Sequence, residues 1–309
     1  MKKPFLLTLV FLAFNGLIAQ QDYQVTHYMY DNLSFNPGYA GMNNSICATL
    51  IGRQQWTGFN GSPQSGILNV HAPVEFLKGG VGITYVYDKL GFESNNIARL
   101  NYSYHMGLGA GLLGIGASVG ILQKNITADW VTPSGNPWGQ DPSILSDQMT
   151  GMVPDINLGV FYKTNELYLG LSTTHIGGFK MSTLNVQNVH HYWITAGYNH
   201  SFSPDLILRP SLLIKSDASS TIMDINVNVL FKNMLWGGMT YRIGDELAPM
   251  LGGQYTLSNG GTIRVGYSYG ITTSVIGDYS NGSHDIMLNY CFNLSKPPVI
   301  EKSKNPRFL

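Results

Sequence analysis

The sequence predicts an all-β fold: a transmembrane antiparallel β-barrel of about fourteen strands, with short periplasmic turns and longer extracellular loops. Three observations predict it. The composition is poor in charge without being rich in apolar residues, segments of about ten residues alternate in polarity along most of the chain, and the connections between them sort by length. Asp, Glu, Lys and Arg make up 12% of the 309 residues, about half the roughly 25% of an ordinary soluble domain. Hydrophobic residues stand at 44%, and the missing charge is replaced by polar neutral residues, 36 glycines and 18 tyrosines. High aromatic content and low charge exclude disorder. Eighteen basic against eighteen acidic residues give no electrostatic footprint for nucleic acid. Beyond the N-terminus no run of about eighteen apolar residues occurs, so membrane-spanning helices are excluded.

Taken in order, Lys2 and Lys3 precede an apolar stretch from Phe5 to Ile18, and Ala19 is followed by the polar Gln20-Gln21-Asp22. Residues 1–19 are expected to be a secretory signal peptide, with no cysteine at the cleavage point to mark a lipoprotein. Residues 20–44 are expected to lie in the periplasm or to plug the lumen. The barrel is expected over 45–294, with strands near 45–56, 62–73, 80–88, 98–109, 111–124, 155–164, 167–176, 192–203, 206–217, 220–233, 235–244, 247–258, 261–273 and 282–294. In the tenth, Met223, Ile225, Val227, Val229 and Phe231 oppose Asp224, Asn226 and Asn228. In the last, Ile286, Leu288, Tyr290 and Phe292 oppose Asp285, Met287, Asn289 and Cys291. This period of two is the dyad pattern of a membrane barrel. Connections after even-numbered strands are expected to be tiny and those after odd-numbered strands longer, the longest running from Asn125 to Pro154. Such sorting places both termini in the periplasm and requires an even strand number. Residues 295–309 are expected to be a short periplasmic tail.

Projecting the alternation inward puts Arg53, Arg99, Arg209, Lys215, Arg242 and Arg264 in the lumen, with Asp155, Asp224, Asp285, His71 and His105. Arg53, Arg99, Asp224, Arg242, Arg264 and Asp285 are expected to form a polar network that braces the interior. A basic channel selecting anions is the functional alternative. Gly109-Ala110-Gly111-Leu112-Leu113-Gly114 matches the dinucleotide pattern G-x-G-x-x-G. It joins two strands instead of opening a helix, so it reads as a tight turn. His190-His191 has no further ligands at metal-site spacing and reads as a solvated loop pair. No catalytic constellation, metal or cofactor is expected, although membrane-barrel lipid hydrolases keep an enzymatic reading in view. Cys47 and Cys291 fall near the start of the first strand and the end of the last. Barrel closure makes these strands neighbours, with both cysteines facing the lumen at the periplasmic end. Whether they are bridged stays open at this point; a Cα separation above about 7 Å would exclude it.

Several segments resemble, in order, those of the PorP/SprF family of type IX secretion outer-membrane proteins. Asn36-Pro37-Gly38-Tyr39-Ala40-Gly41 is similar to its N-P-A-Y-A-G motif, with Gly38 replacing the usual alanine. Arg53-Gln54-Gln55-Trp56, Asp88-Lys89-x-Gly91, Arg209-Pro210-Ser211, Tyr241-Arg242-x-Gly244-Asp245, Gly266-Tyr267-Ser268-Tyr269 and Gly282-Ser283-His284-Asp285-Ile286-Met287-Leu288 follow in register. The resemblance implies a non-enzymatic protein of the cell outer membrane, surrounded by its lipids. It implies service to secretion and, in gliding organisms, to the display of a surface adhesin with a C-terminal sorting domain. The implied partners are that adhesin and the periplasmic ring lipoproteins or a peptidoglycan-associated protein. Within this reading Asn36, Pro37, Tyr39 and Gly41 are the candidate plug or partner contact, and Trp130 and Trp138 mark the outer loop suited to an exported partner. A general porin with a basic lumen is the alternative.

Overall fold

A computed structural model describes residues 22–127, 149–258 and 260–294. Fourteen strands form one up-and-down meander: β1 (Ser45–Gln54), β2 (Gln64–Val74), β3 (Gly79–Leu90), β4 (Glu93–Leu108), β5 (Gly111–Ile126), β6 (Met149–Lys163), β7 (Leu167–Thr174), β8 (His191–Tyr198, continued by His200–Ser203), β9 (Leu206–Ser216), β10 (Thr221–Phe231), β11 (Leu235–Arg242), β12 (Glu246–Thr256), β13 (Thr262–Thr272) and β14 (Ser283–Asn293). Each pairs antiparallel with its neighbours, and β1 pairs with β14 from Ser45↔Asn293 to Gln54↔His284. The barrel is therefore closed, and closure leaves no strand edge with unpaired backbone groups in the bilayer, where each would cost several kcal/mol.

Side-chain alternation separates the two faces. Leu50, Ile83, Leu100, Val119, Leu171, Ile225, Leu251 and Val265 are exposed on the outside, whereas Thr49, Thr84, Asn101, Ser118, Asn157, Asn226 and Ser268 are buried within. All fourteen strands expected from the sequence are present. Loop lengths sort less cleanly than the sequence suggests. Turns at the periplasmic end are uniformly short, but at the outer end only Gly91 and Phe92 join β3 to β4. The polar run Glu93-Ser94-Asn95-Asn96 reads as loop, yet it pairs fully with Asp88–Leu90 and Tyr87. Strands of a barrel continue beyond the apolar belt, where water on both sides removes the alternation that marks them.

Residues 22–44 lie inside the barrel as three short 3₁₀ turns, Tyr28–Tyr30, Asn32–Ser34 and Pro37–Tyr39. Their Tyr23, Val25, Tyr28 and Phe35 form one buried cluster with the wall residues Ile51, Ile67, Val86, Ile97, Trp193 and Trp236. Phe35 stacks on Trp193 at 4.9 Å between ring centroids. At the outer end Met181, from a small hairpin (Lys180–Met181 with Val186–Gln187) in the β7–β8 connection, joins the same cluster. At the other end Cys47 and Cys291 stand opposite each other and form a disulfide, with Cα atoms 4.0 Å apart, across the β1–β14 seam.

Candidate functional site: the lumen segment and the vestibule below it

The Asn36–Gly41 motif is seated on a track of inward glycines. A Cβ at Gly116 would lie 2.4 Å from the carbonyl carbon of Pro37, one at Gly114 2.2 Å from the Gly38 oxygen, and one at Gly80 2.3 Å from the Ala40 oxygen. Only glycine on β3 and β5 lets the motif's backbone come this close. Polar bonds then hold it. Asn36 Oδ1 accepts from the Gly38 N–H at 2.9 Å, capping the short turn that Pro37 begins. Its Nδ2 donates to the Val160 and Leu171 carbonyls at 2.9 and 3.1 Å. Ser103 Oγ donates to the Gly38 oxygen at 2.8 Å, His105 Nε2 lies 2.9 Å from the Ala40 oxygen, and the Gly41 N–H donates to His71 Nδ1 at 3.1 Å. Tyr39 packs edge-on against Phe161 and His71. Gly41 itself has φ of +75°, a left-handed turn that favours glycine and delivers the chain into β1.

Above the motif, buried charges are paired. Arg53 donates to Glu246 at 2.8 Å and to the Thr26 hydroxyl at 2.5 Å, and lies 3.7 Å from Asp285. Asp285 also takes the Thr26 amide at 3.0 Å and pairs with His27. Arg242 grips Asp224 through two bonds of 2.9 and 2.8 Å, the fork geometry that makes such pairs strong. Arg99 meets Asp155 at 2.5 Å and the Ser34 carbonyl at 3.2 Å. Wall and segment thus share one network. Asp31, which accepts from Ser34 and Asn69, is pushed up by burial to about 7.

At the outer mouth His175 donates through both ring nitrogens, Nδ1 to Asp155 at 2.7 Å and Nε2 to Asp22 at 3.0 Å. Burial opposes its charge, but these two carboxylates raise it to about 9. Lys215 Nζ donates to the Asp22 carbonyl at 2.6 Å. Burial likewise opposes ionisation of Asp22, and the charges of His175 and His191 hold its carboxyl well below the usual range. Asp22, His175 and His191 bring potential ligand atoms within 4.8 Å of one another, a donor set compatible with a transition metal. His191 is therefore not a solvated loop residue. It opens β8, faces inward and is 4% exposed, because the β7–β8 connection folds over the mouth and returns it beside His175.

Arg264 stands apart from this network. It donates to Gln254 at 3.1 Å and Asn289 at 2.7 Å, both neutral, and lines a cavity of about 390 Å³ at the periplasmic end, below Met29, Tyr30, Asn32 and Tyr39. Trp130 and Trp138 fall outside the described residues. Sequence reasoning did not single out Thr26, His27, Asp31, His175 or Glu246. Gly114, Gly116 and Gly159, recurring at inward positions, were the available signal for the seat.

Residues 17–290 match the model of the type IX secretion system membrane protein PorP/SprF. The chain belongs to the PorP/SprF family. A PorP/SprF barrel is a membrane component of that secretion system, and the closed barrel with its apolar outer belt places it in the outer membrane. No curated protein matches the sequence. Among solved structures it is similar to the CymD monoaromatic hydrocarbon channel (12% identity, 86% of this chain and 93% of that one, TM-score 0.51). The Pseudomonas putida toluene transporter TodX (12%, 81% and 89%, TM-score 0.47) and Acinetobacter baumannii Omp33 (10%, 81% and 99%, TM-score 0.44) are also matched. At such identities the likeness to CymD shows the barrel architecture alone.

Proposed function

We propose that this PorP/SprF barrel is a non-enzymatic component of the type IX secretion system that docks or anchors a secreted surface protein. That protein carries a C-terminal sorting domain and in gliding organisms is an adhesin. The periplasmic side contacts the ring lipoproteins or a peptidoglycan-associated protein. The family match over 17–290 carries the reading. A lumen occupied by residues 22–44, bonded to the wall along its length, agrees with a docking role better than with conduction. Deleting the gene in its native organism tests it. The expected result is selective loss of one or a few sorting-domain proteins from the cell surface, with other outer-membrane proteins retained; an unchanged surface proteome would overturn it.

The second reading, a solute channel, draws on the architecture shared with CymD and on the basic lining of the periplasmic cavity. It requires stable open conductance of the wild-type protein in planar bilayers.

A further inference from the structure

We infer that the periplasmic vestibule is a binding site for a carboxylate-rich, extended polypeptide segment entering from the periplasm. The lining of the cavity of about 390 Å³ includes three cations, Lys163, Arg209 and Arg264, and no aspartate or glutamate. Elsewhere in the lumen the pattern is the reverse: Arg53, Arg99, Lys124 and Arg242 each meet a carboxylate. Among the described residues none of the three vestibule cations forms an ion pair. Lys163 spends its ammonium on Asn43 Oδ1 at 2.6 Å, and Arg264 donates to the side-chain amides of Gln254 and Asn289. The buried Arg209 Nε meets no acceptor. Burying an N–H without a partner costs about 1–3 kcal/mol, and three like charges in one low-dielectric recess make its potential positive and favour an anion there.

Size and shape narrow the class. The recess has the volume of a ligand pocket and is roofed by Met29, Tyr30, Asn32 and Tyr39, so entry is from the periplasmic end. Neutral hydrogen-bonding side chains such as Asn199, Ser211, Asn228 and Asn293 suit the backbone amides of an extended chain, with the cations taking its carboxylates. Residues 295–309 of this chain are a poor occupant, since they carry four basic residues against one acidic. The inference stands whichever protein presents the segment, and so does not depend on the secretion reading.

The test uses the full-length protein in detergent and a fluorescein-labelled peptide of alternating aspartate and glycine, with its asparagine counterpart as control. Wild type is expected to bind the aspartate peptide at least about tenfold more tightly than the asparagine peptide, and more weakly as NaCl rises from about 50 to about 300 mM. Arg209→Gln and Arg264→Gln are each expected to weaken binding several-fold, and together to abolish it. Should the double variant lose its heat-modifiable folded form, the single Arg209→Gln variant and the peptide comparison on wild type carry the test. Equal binding of the two peptides, or binding indifferent to both arginines, would overturn the inference. So would saturable binding of inorganic phosphate without binding of the aspartate peptide, which would leave a small-anion site.

Discussion

Replacing Gly116 with alanine will unseat the Asn36–Gly41 motif while sparing the barrel. The new Cβ would lie 2.4 Å from the Pro37 carbonyl carbon and 2.5 Å from the Gly38 nitrogen. Both are backbone atoms that cannot rotate away, so the motif must retreat by about 1 Å to reach ordinary contact distance. A retreat of that size stretches the bonds from Asn36 Nδ2 to Val160 at 2.9 Å and from Ser103 to Gly38 at 2.8 Å beyond useful length. Two weakened bonds at about 0.5–1.5 kcal/mol each, added to about 1–3 kcal/mol of overpacking, give a loss of about 2–6 kcal/mol in seating. That corresponds to a shift of about 30- to 20,000-fold towards the displaced segment. Limited proteolysis of residues 22–44 in the detergent-solubilised protein reads the shift directly, and channel openings in planar bilayers read it independently. Gly52→Ala is the control, because a Cβ there meets nothing within 4 Å. If Gly116→Ala is cleaved no faster and conducts no more than Gly52→Ala, the close seating of the motif does not hold the segment in place.

Further predictions concern the network and the seam. Asp155→Asn removes the partner of Arg99 and one partner of His175; a buried pair broken on one side costs about 3–5 kcal/mol, so the heat-modifiability transition will fall well below that of wild type. Cys47→Ser with Cys291→Ser will also lower that transition, by the equivalent of about 2–5 kcal/mol for so long a closed loop, and reducing agent will lower wild type but not the double variant. His175 is raised from its ordinary value, so its contribution to holding Asp22 is complete below about pH 6.5 and is lost as pH rises through about 9. Protease access to the outer end of the segment will therefore increase between about pH 8 and pH 10, and His175→Gln will remove that dependence.

The strands were legible because a barrel wall imposes a period of two on every segment that separates lipid from lumen. Asp224, Asn226 and Asn228 alternating with Ile225 and Val227 need no context to be read. The same rule placed Arg53, Arg99, Arg242 and Asp285 on the inner face, where the structure has them. It could not say which partners they take. Glu246 faces Arg242 across the β11–β12 hairpin, but it reaches Arg53 of β1 only after the barrel closes, and His175 meets Asp22 from 153 residues away in the sequence. Residues 22–44 carry no periodicity, since three short turns fitted to a cavity are shaped by the wall and not by a repeating neighbour. Their seat is written in the wall instead, as glycines at inward positions of β3 and β5, and in the sequence Gly114 reads only as part of a turn. Arg264 illustrates the remaining limit: alternation gives the face, but its position below the segment, in a cavity whose lining among the described residues holds no carboxylate, comes from the packed structure.

The most direct test of the account is affinity purification of the tagged protein from the native outer membrane in mild detergent, with mass spectrometry of what accompanies it. The account predicts recovery, in near-equal amount, of a large exported protein with a C-terminal sorting domain, of periplasmic ring lipoproteins, or of both. A barrel recovered alone that conducts ions steadily in planar bilayers would contradict it and make the protein a channel.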